Sequence, residues 1–343
     1  MTSSLFRLGW ASLFAFAILG LVLSPAAAQD PPAFQLQVDH SPHGMVAAAQ
    51  PLATWAGVQM LEAGGNAADA AVAAAFAIAV VEPTMNSIGG RTQILIHLPG
   101  GEVRGIDATT QAPATYDPET APQAGYGYAV IGVPGAVAGL VRLQSEYGTL
   151  PLETVMGPAI RYAEEGFAIL PGDARRQAMG ARQAAEFEGT RQYYLKEDGS
   201  PYEPGEVLIQ KDLARTLLTI AKTEGEDFYR GEIAATMAAD LQAHGSAVTL
   251  ESLNDYVAED GHIVRGSYRG YDLAGMYVPT AGAVAIEALH ILENFDLASM
   301  DPEERIARVG QALGMAFQDW ALQEGPEDAA RVTSKEFAAQ RAS

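Results

Sequence analysis

The chain has 343 residues, no cysteine, and 42 acidic against 21 basic side chains, a formal charge of −21 at pH 7. Without cysteine there is no thiol nucleophile, no thiolate metal site and no disulfide framework. The acidic residues are dispersed, which gives a soluble, self-repelling surface and disfavours nucleic acid and anionic lipid, both of which are gripped through basic patches.

The first 28 residues stand apart. Arg7 is the only charge between Met1 and Ala28, an apolar run follows from Leu8 to Leu23, and the stretch closes on Ser24-Pro-Ala-Ala-Ala28. That pattern predicts a secretory signal peptide over 1–28, cut between Ala28 and Gln29, and a periplasmic product in a Gram-negative bacterium. The alternative is a membrane anchor, for which the run is short. No later segment is long and apolar enough to cross a bilayer, so the processed chain is expected to have no membrane attachment. Residues 29–42 form a polar, proline-containing leader, and the main region runs over 43–343.

Within it, Pro51 to Ala63 reads as a helix closed by Gly64-Gly65, where glycine supplies a left-handed cap. Asn66, with Asp69 three residues on, predicts a capped helix from Ala67 to Val81. This helix is alanine-rich and uncharged after Asp69, the mark of burial on all sides. Thr92–Leu98 and Glu102–Ala108 read as strands of a hairpin turned by Pro99-Gly100-Gly101. Helices follow at Gly135–Tyr147, Leu152–Glu165, Gln210–Glu224, Gly231–His244 and Leu250–Tyr256. A strand is expected at Arg269–Met276, then helices at Ala283–Asn294, Arg305–Glu324 and Ser334–Arg341. Gly172 to Gly205 lacks periodicity and reads as an irregular excursion. The mixture is α/β or α+β by class.

Residue chemistry alone reveals no reaction. There is no Gly-x-Ser-x-Gly elbow, no Walker loop, no Gly-x-Gly-x-x-Gly after a strand and no His-Glu-x-x-His. His40 and His43 have a spacing that could favour a metal, but they lie in the leader without a carboxylate cluster, so no metal site is expected. The pairs Gly64-Gly65 and Gly89-Gly90 and the run Gly132-Val-Pro-Gly135 are turn glycines first.

Several strings, in order, resemble the γ-glutamyltransferase (glutathione hydrolase) family. They are Gly44-Met-Val-Ala-Ala-Ala-Gln-Pro-Leu-Ala53, Gly64-Gly-Asn-Ala-Ala-Asp-Ala-Ala-Val-Ala73, Val81-Glu-Pro83 leading to Ile88-Gly-Gly90, and Gly132-Val-Pro-Gly135 with Ala138-Gly139. Gly157-Pro-Ala-Ile-Arg161, Tyr229-Arg-Gly231, Tyr268-Arg-Gly-Tyr271 and Ser334-Lys-Glu336 continue the series. The resemblance implies the large-subunit half of a four-layer α-β-β-α N-terminal-nucleophile (Ntn) hydrolase, made as a self-cleaving precursor and needing no cofactor. In such an enzyme the N-terminal threonine of the small subunit attacks a γ-glutamyl amide such as glutathione, with its own amine as base.

Two departures bear on function. Ser343 lies upstream of the point where the family's small subunit opens with its threonine, so this chain alone is expected to be inactive. It would need a small subunit as partner, whether cut from the same precursor or supplied as a separate chain. Second, the family's Asp-x-Arg-Glu-x-Ala-Pro, whose arginine holds the substrate carboxylate, stands here as Asp107-Ala-Thr-Thr-Gln-Ala-Pro113. Thr109 occupies the arginine's place, and a hydroxyl cannot replace a bidentate guanidinium. A three-residue hairpin loop would set Arg91 opposite Thr109 on the neighbouring strand. Arg91 is then either a substitute carboxylate clamp or a solvated arginine at a strand end. Two rival readings stay open: an Ntn amidohydrolase for another acyl amide, and a non-catalytic exported scaffold built on half the fold.

Overall fold

The computed structural model describes residues 40–121 and 124–343. The signal peptide over 1–28 and most of the leader lie outside the described residues. By its contacts the chain separates between His43 and Gly44. On the leader side, His40–His43 make a short bend in which the His43 amide donates to Ser41 Oγ at 3.2 Å.

Helix α1 spans Pro51–Glu62, with proline in its first turn and Gln50 accepting from the Leu52 and Ala53 amides. Helix α2 spans Ala67–Val81 and carries the expected capping box between Asn66 and Asp69. Val72, Ala73, Phe76, Ala77, Val80 and Val81 are fully buried, while Ala67 and Ala71 are exposed and Ala75 and Ile78 half-buried, so one narrow stripe departs from the expected burial on all sides. The helix therefore forms the centre of the main core.

Strands β1 (Thr92–His97) and β2 (Val103–Ala108) pair antiparallel from Thr92↔Ala108 to His97↔Val103. Leu98 donates to the Glu102 carbonyl at 2.8 Å, so the loop is the three-residue Pro99-Gly100-Gly101 that the sequence predicts. Ile94, Ile96, Ile106 and Ala108 turn to the helical core. Gln93, Leu95 and Asp107 alternate with them and face the other way.

Helix α3 (Ala136–Tyr147) backs the sheet and α4 (Leu152–Glu165) packs on α2. Short strands β3 (Phe167–Ala168) and β4 (Val207–Leu208) pair with each other. Between them the expectation of an irregular excursion is overturned, because Pro171–Ala184 (α5) and Glu188–Tyr194 (α6) are helical. These helices hide from periodicity because they bury little apolar surface. In α5 only Asp173, Ala174 and Gln177 are buried, and ion pairing replaces the apolar stripe.

Helices α7 (Lys211–Thr223), α8 (Glu226–Arg230), α9 (Glu232–Ala243) and α10 (Leu250–Asn254) complete this side. Strand β5 (Glu259–Asp260) joins the edge of β2, giving the order β1-β2-β5.

The last region corrects the single expected strand. Ile263–Tyr268 (β6) and Tyr271–Met276 (β7) form a hairpin, and Arg269 and Gly270 are its two-residue turn with φ of 51° and 86°. Two positive φ values are what a tight hairpin requires, and they account for the Tyr-Arg-Gly-Tyr string. Helix α11 (Gly282–Glu293) packs on that hairpin. Three small apolar clusters surround α11, separate from the main core. They are built with α12 (Pro302–Trp320), α13 (Pro326–Val332) and α14 (Lys335–Ala342). Helix α12 starts earlier than expected, because Asp301 caps it through the Glu304 amide at 2.9 Å, and it ends earlier, at Trp320. Helix α13 was not foreseen. Among the described residues no helix is long and apolar enough to cross a membrane.

Candidate functional site at the hairpin mouth

Some of the recognisable strings, those around Gly90, Gly132–Gly139 and Tyr229, meet where β1 and β2 reach the start of α3. The loop between α2 and β1 is fixed at its root by Arg176 of α5. Its Nη2 lies 3.0 Å from Glu82 Oε1 and 3.0 Å from Asp173 Oδ1, and its Nε donates to Thr84 Oγ1 at 2.9 Å. Thr84 in turn donates to Asp173 at 2.6 Å. A guanidinium shared by two largely buried carboxylates is a stronger tie than a surface pair, and it explains the glutamate of Val81-Glu-Pro83.

At its far end the Gly90 carbonyl accepts from the Gly135 and Ala136 amides at 2.9 and 3.0 Å. Helix α3 comes in too close for any side chain at two positions. A Cβ on Gly135 would lie 2.2 Å from both the Ala108 carbonyl oxygen and the Tyr256 hydroxyl, and one on Gly139 would lie 2.5 Å from Ala108 Cβ. The Gly-Val-Pro-Gly and Ala-Gly strings are thus the price of laying a helix directly on β2.

A tyrosine pair holds this junction. Tyr229 donates to the Pro134 carbonyl at 2.9 Å and accepts from the Ala138 amide at 3.1 Å. Its ring stacks on Tyr256, centroids 5.5 Å apart, and Tyr256 donates to the Thr109 carbonyl at 2.7 Å. Burial, then the Asp107 and Glu259 carboxylates, pushes the Tyr256 phenol up to about 12, and burial raises that of Tyr229 further. Both remain protonated donors at neutral pH.

Thr109 sits at the end of β2. Its hydroxyl accepts from Gln93 Nε2 at 2.8 Å, and the same amide nitrogen donates to Asp107 Oδ1 at 3.1 Å. The Thr109 amide also donates to Asp107 Oδ1, at 3.0 Å. Continuing the ladder register by one step sets Arg91 opposite Thr109. Arg91 is exposed and makes no hydrogen bond or ion pair among the described residues, and it lines a small cavity of about 60 Å³ with Asn86, Ser87 and Thr92. The side chain that engages Thr109 is Gln93. Sequence reasoning passed over Gln93, although the predicted register already paired it with Asp107.

Asp69 is structural. It is fully buried, and burial alone would raise its carboxyl. Donors from Gln144, Leu150, Asn66 and Thr149 outweigh burial and hold it at about 2. Among the described residues no three His, Asp or Glu side chains group as metal ligands.

The chain matches the family model described as Gamma-glutamyltranspeptidase over residues 53–343. It is 34% identical over 297 residues to the glutathione hydrolase proenzyme of Pseudomonas sp. (strain A14), covering 84% of this chain and 52% of that one. It is 35% identical over 301 residues to the acylase ACY 1 proenzyme of Pseudomonas sp. (strain V22), covering 81% and 53%. The chain thus spans about half the length of the curated relatives it matches. Among solved structures it is similar to the gamma-glutamyltranspeptidase of Helicobacter pylori, with a TM-score of 0.85 at 31% identity, covering 89% of this chain and 93% of that one.

Proposed function

Because the chain belongs to the gamma-glutamyltranspeptidase family, as its large-subunit region with an Ntn-hydrolase α+β fold, we propose that it forms part of an exported acyl-transfer enzyme acting on γ-glutamyl amides. In this reading a small subunit carrying an N-terminal threonine supplies nucleophile and base, and the acyl group passes to water or to an amine. This chain without that partner is inactive. The outward face of the β1–β2 hairpin carries the reading: Gln93, Asp107 and Thr109 form a connected polar set beside Leu95, whose side chain is 48% exposed. A half-covered apolar residue next to an organised polar cluster suits a face that meets another polypeptide around a substrate.

Within this reading Arg91 is the carboxylate clamp, reaching from the strand opposite Thr109. Intact-mass analysis of the protein purified gently from its source tests the assembly, and a companion chain that begins with threonine is the expected result. A lone, stable, monodisperse chain would instead support a non-catalytic scaffold. In the assembled enzyme Arg91→Ala should raise the apparent KM for a γ-glutamyl donor by at least about tenfold, as loss of a charge-assisted bidentate contact implies. An unchanged KM removes Arg91 from the role.

One observation favours a second substrate class. With Thr109 held by the neutral Gln93 amide and beside Asp107, the site lacks a cation at the family arginine's position. That suits an acyl group without an α-carboxylate, and turnover of simple acyl amides in preference to γ-glutamyl amides would select this alternative.

A further inference from the structure

A second cavity, of about 280 Å³, lies beside α6, between the end of α2, the Ser87–Ile88 loop and the start of α7. Ala79, Ile88 and Leu213 give it apolar wall, and Tyr193 and Tyr194 line it as well. Its polar groups are Ser87, Thr190 and Gln210, and no charged side chain lines it. The Gln210 residue is 3% exposed and spends its Nε2 on the Val80 carbonyl at 3.0 Å, while its Oε1 accepts no hydrogen bond. The hydroxyls of Ser87, Thr190, Tyr193 and Tyr194 likewise make no hydrogen bond among the described residues. Burial raises the Tyr194 phenol, which keeps it a donor at neutral pH. A cavity so supplied with unused neutral donors and acceptors is suited to a ligand.

We propose that this cavity binds a compact, uncharged, single-ring ligand bearing an amide. Its volume falls just under the roughly 300–1,000 Å³ of pockets that take drug-sized molecules, which limits the ligand to about one ring. A charged ligand would lose hydration and find no countercharge on the walls. A flat ring packs against the tyrosines. An amide N–H suits the idle Gln210 Oε1, and its carbonyl suits any of the free hydroxyls. The cavity shares Ala79, Ser87 and Ile88 with the smaller one that Arg91 lines, so a bound ligand touches the loop leading into β1. The site does not depend on the γ-glutamyl reading and can be tested without turnover.

The experiment uses the full chain, with any companion that copurifies, and follows saturation-transfer NMR signals during titration with benzamide, benzoate and benzylamine. Benzamide should bind with a dissociation constant of about 1 mM, a reasonable affinity for so few atoms. Benzoate and protonated benzylamine should bind at least about tenfold more weakly. Gly189 lines the cavity, is exposed, and a Cβ placed on it meets nothing within 4 Å. Gly189→Phe should therefore leave the melting midpoint unchanged and abolish the benzamide signal. The double variant Ser87→Ala with Thr190→Val should weaken benzamide several-fold. Equal binding of the three probes, no binding of benzamide, or undiminished binding in a folded Gly189→Phe protein would each overturn the proposal.

Discussion

The Tyr256 hydroxyl donates to the Thr109 carbonyl at 2.7 Å across 147 positions of sequence, and so anchors the end of β2 from the segment that leads into the neighbouring strand β5. The same hydroxyl lies where any Cβ on Gly135 would fall. One side chain thereby sets both the position of Thr109 and the closeness of α3. Tyr256→Phe should keep the ring stacked on Tyr229 and remove only this bond. Urea denaturation should report a loss of about 1 kcal/mol, the usual net value of such a bond, and no loss would mean that water takes the hydroxyl's place.

The two helix–strand glycines should differ in tolerance. At Gly139 a methyl meets the Ala108 and Thr92 side chains, and at Gly135 it meets backbone oxygen and a fixed phenol. Overpacking of the first kind costs about 1–3 kcal/mol. Gly139→Ala should fall in that range, while Gly135→Ala should cost more and displace Tyr256, which near-ultraviolet circular dichroism would register.

Acid should attack the Asp69 centre. Its carboxyl is depressed to about 2 from an ordinary 3.8. The stability it contributes is present above the ordinary value and is lost as pH falls through 2. Asp69→Asn keeps the shape but cannot accept from all the same donors, and should cost about 3 kcal/mol at neutral pH. Its denaturation midpoint should also change less than the parent's between pH 4 and pH 2. Equal acid sensitivity in both proteins would count against this role.

The C-terminal helices should show the opposite trend. Glu287 is fully buried and neither carboxylate oxygen has a hydrogen-bonding partner of good geometry. Burial, followed by the nearby Asp319, pushes its carboxyl up to about 8, against the weaker pull of Arg341 and Arg331. The folded chain thus holds a proton there that the unfolded chain releases near its ordinary 4.5. The associated stability is complete below that ordinary value and is lost as pH rises through 8. Glu287→Gln should flatten the decline in melting temperature between pH 5 and pH 8.5, and a decline of unchanged slope would exonerate Glu287.

What could be read in advance follows from which forces leave a trace in sequence. The capping box at Asn66 and Asp69, the buried α2 and the β1–β2 register are local or periodic, and each was legible. Helix α5 was not, because Arg176 holds it to Glu82 and Thr84 some ninety positions away. Strand β6 was hidden because its partner's turn, Arg269-Gly270, reads equally as the start of a strand. At the candidate site the hairpin register was legible while the choice of Gln93 as the partner of Thr109 was not, since side-chain reach across a ladder is settled by rotamers rather than by spacing.

The Asp69 centre also has a consequence for how the protein is made. Its donors come from positions 66 and 144–150, so the carboxylate must be desolvated by groups synthesised about eighty residues later. A ribosome adding roughly 5–20 residues each second needs several seconds to cover that interval. During that time α2 has α1 and the Asn66 amide beside it but lacks α3, α4 and the later donors to its anion. Chaperone occupancy on the nascent chain should therefore peak after Val81 emerges and fall once Leu150 is exposed, making the loop after α3 the checkpoint of vectorial folding.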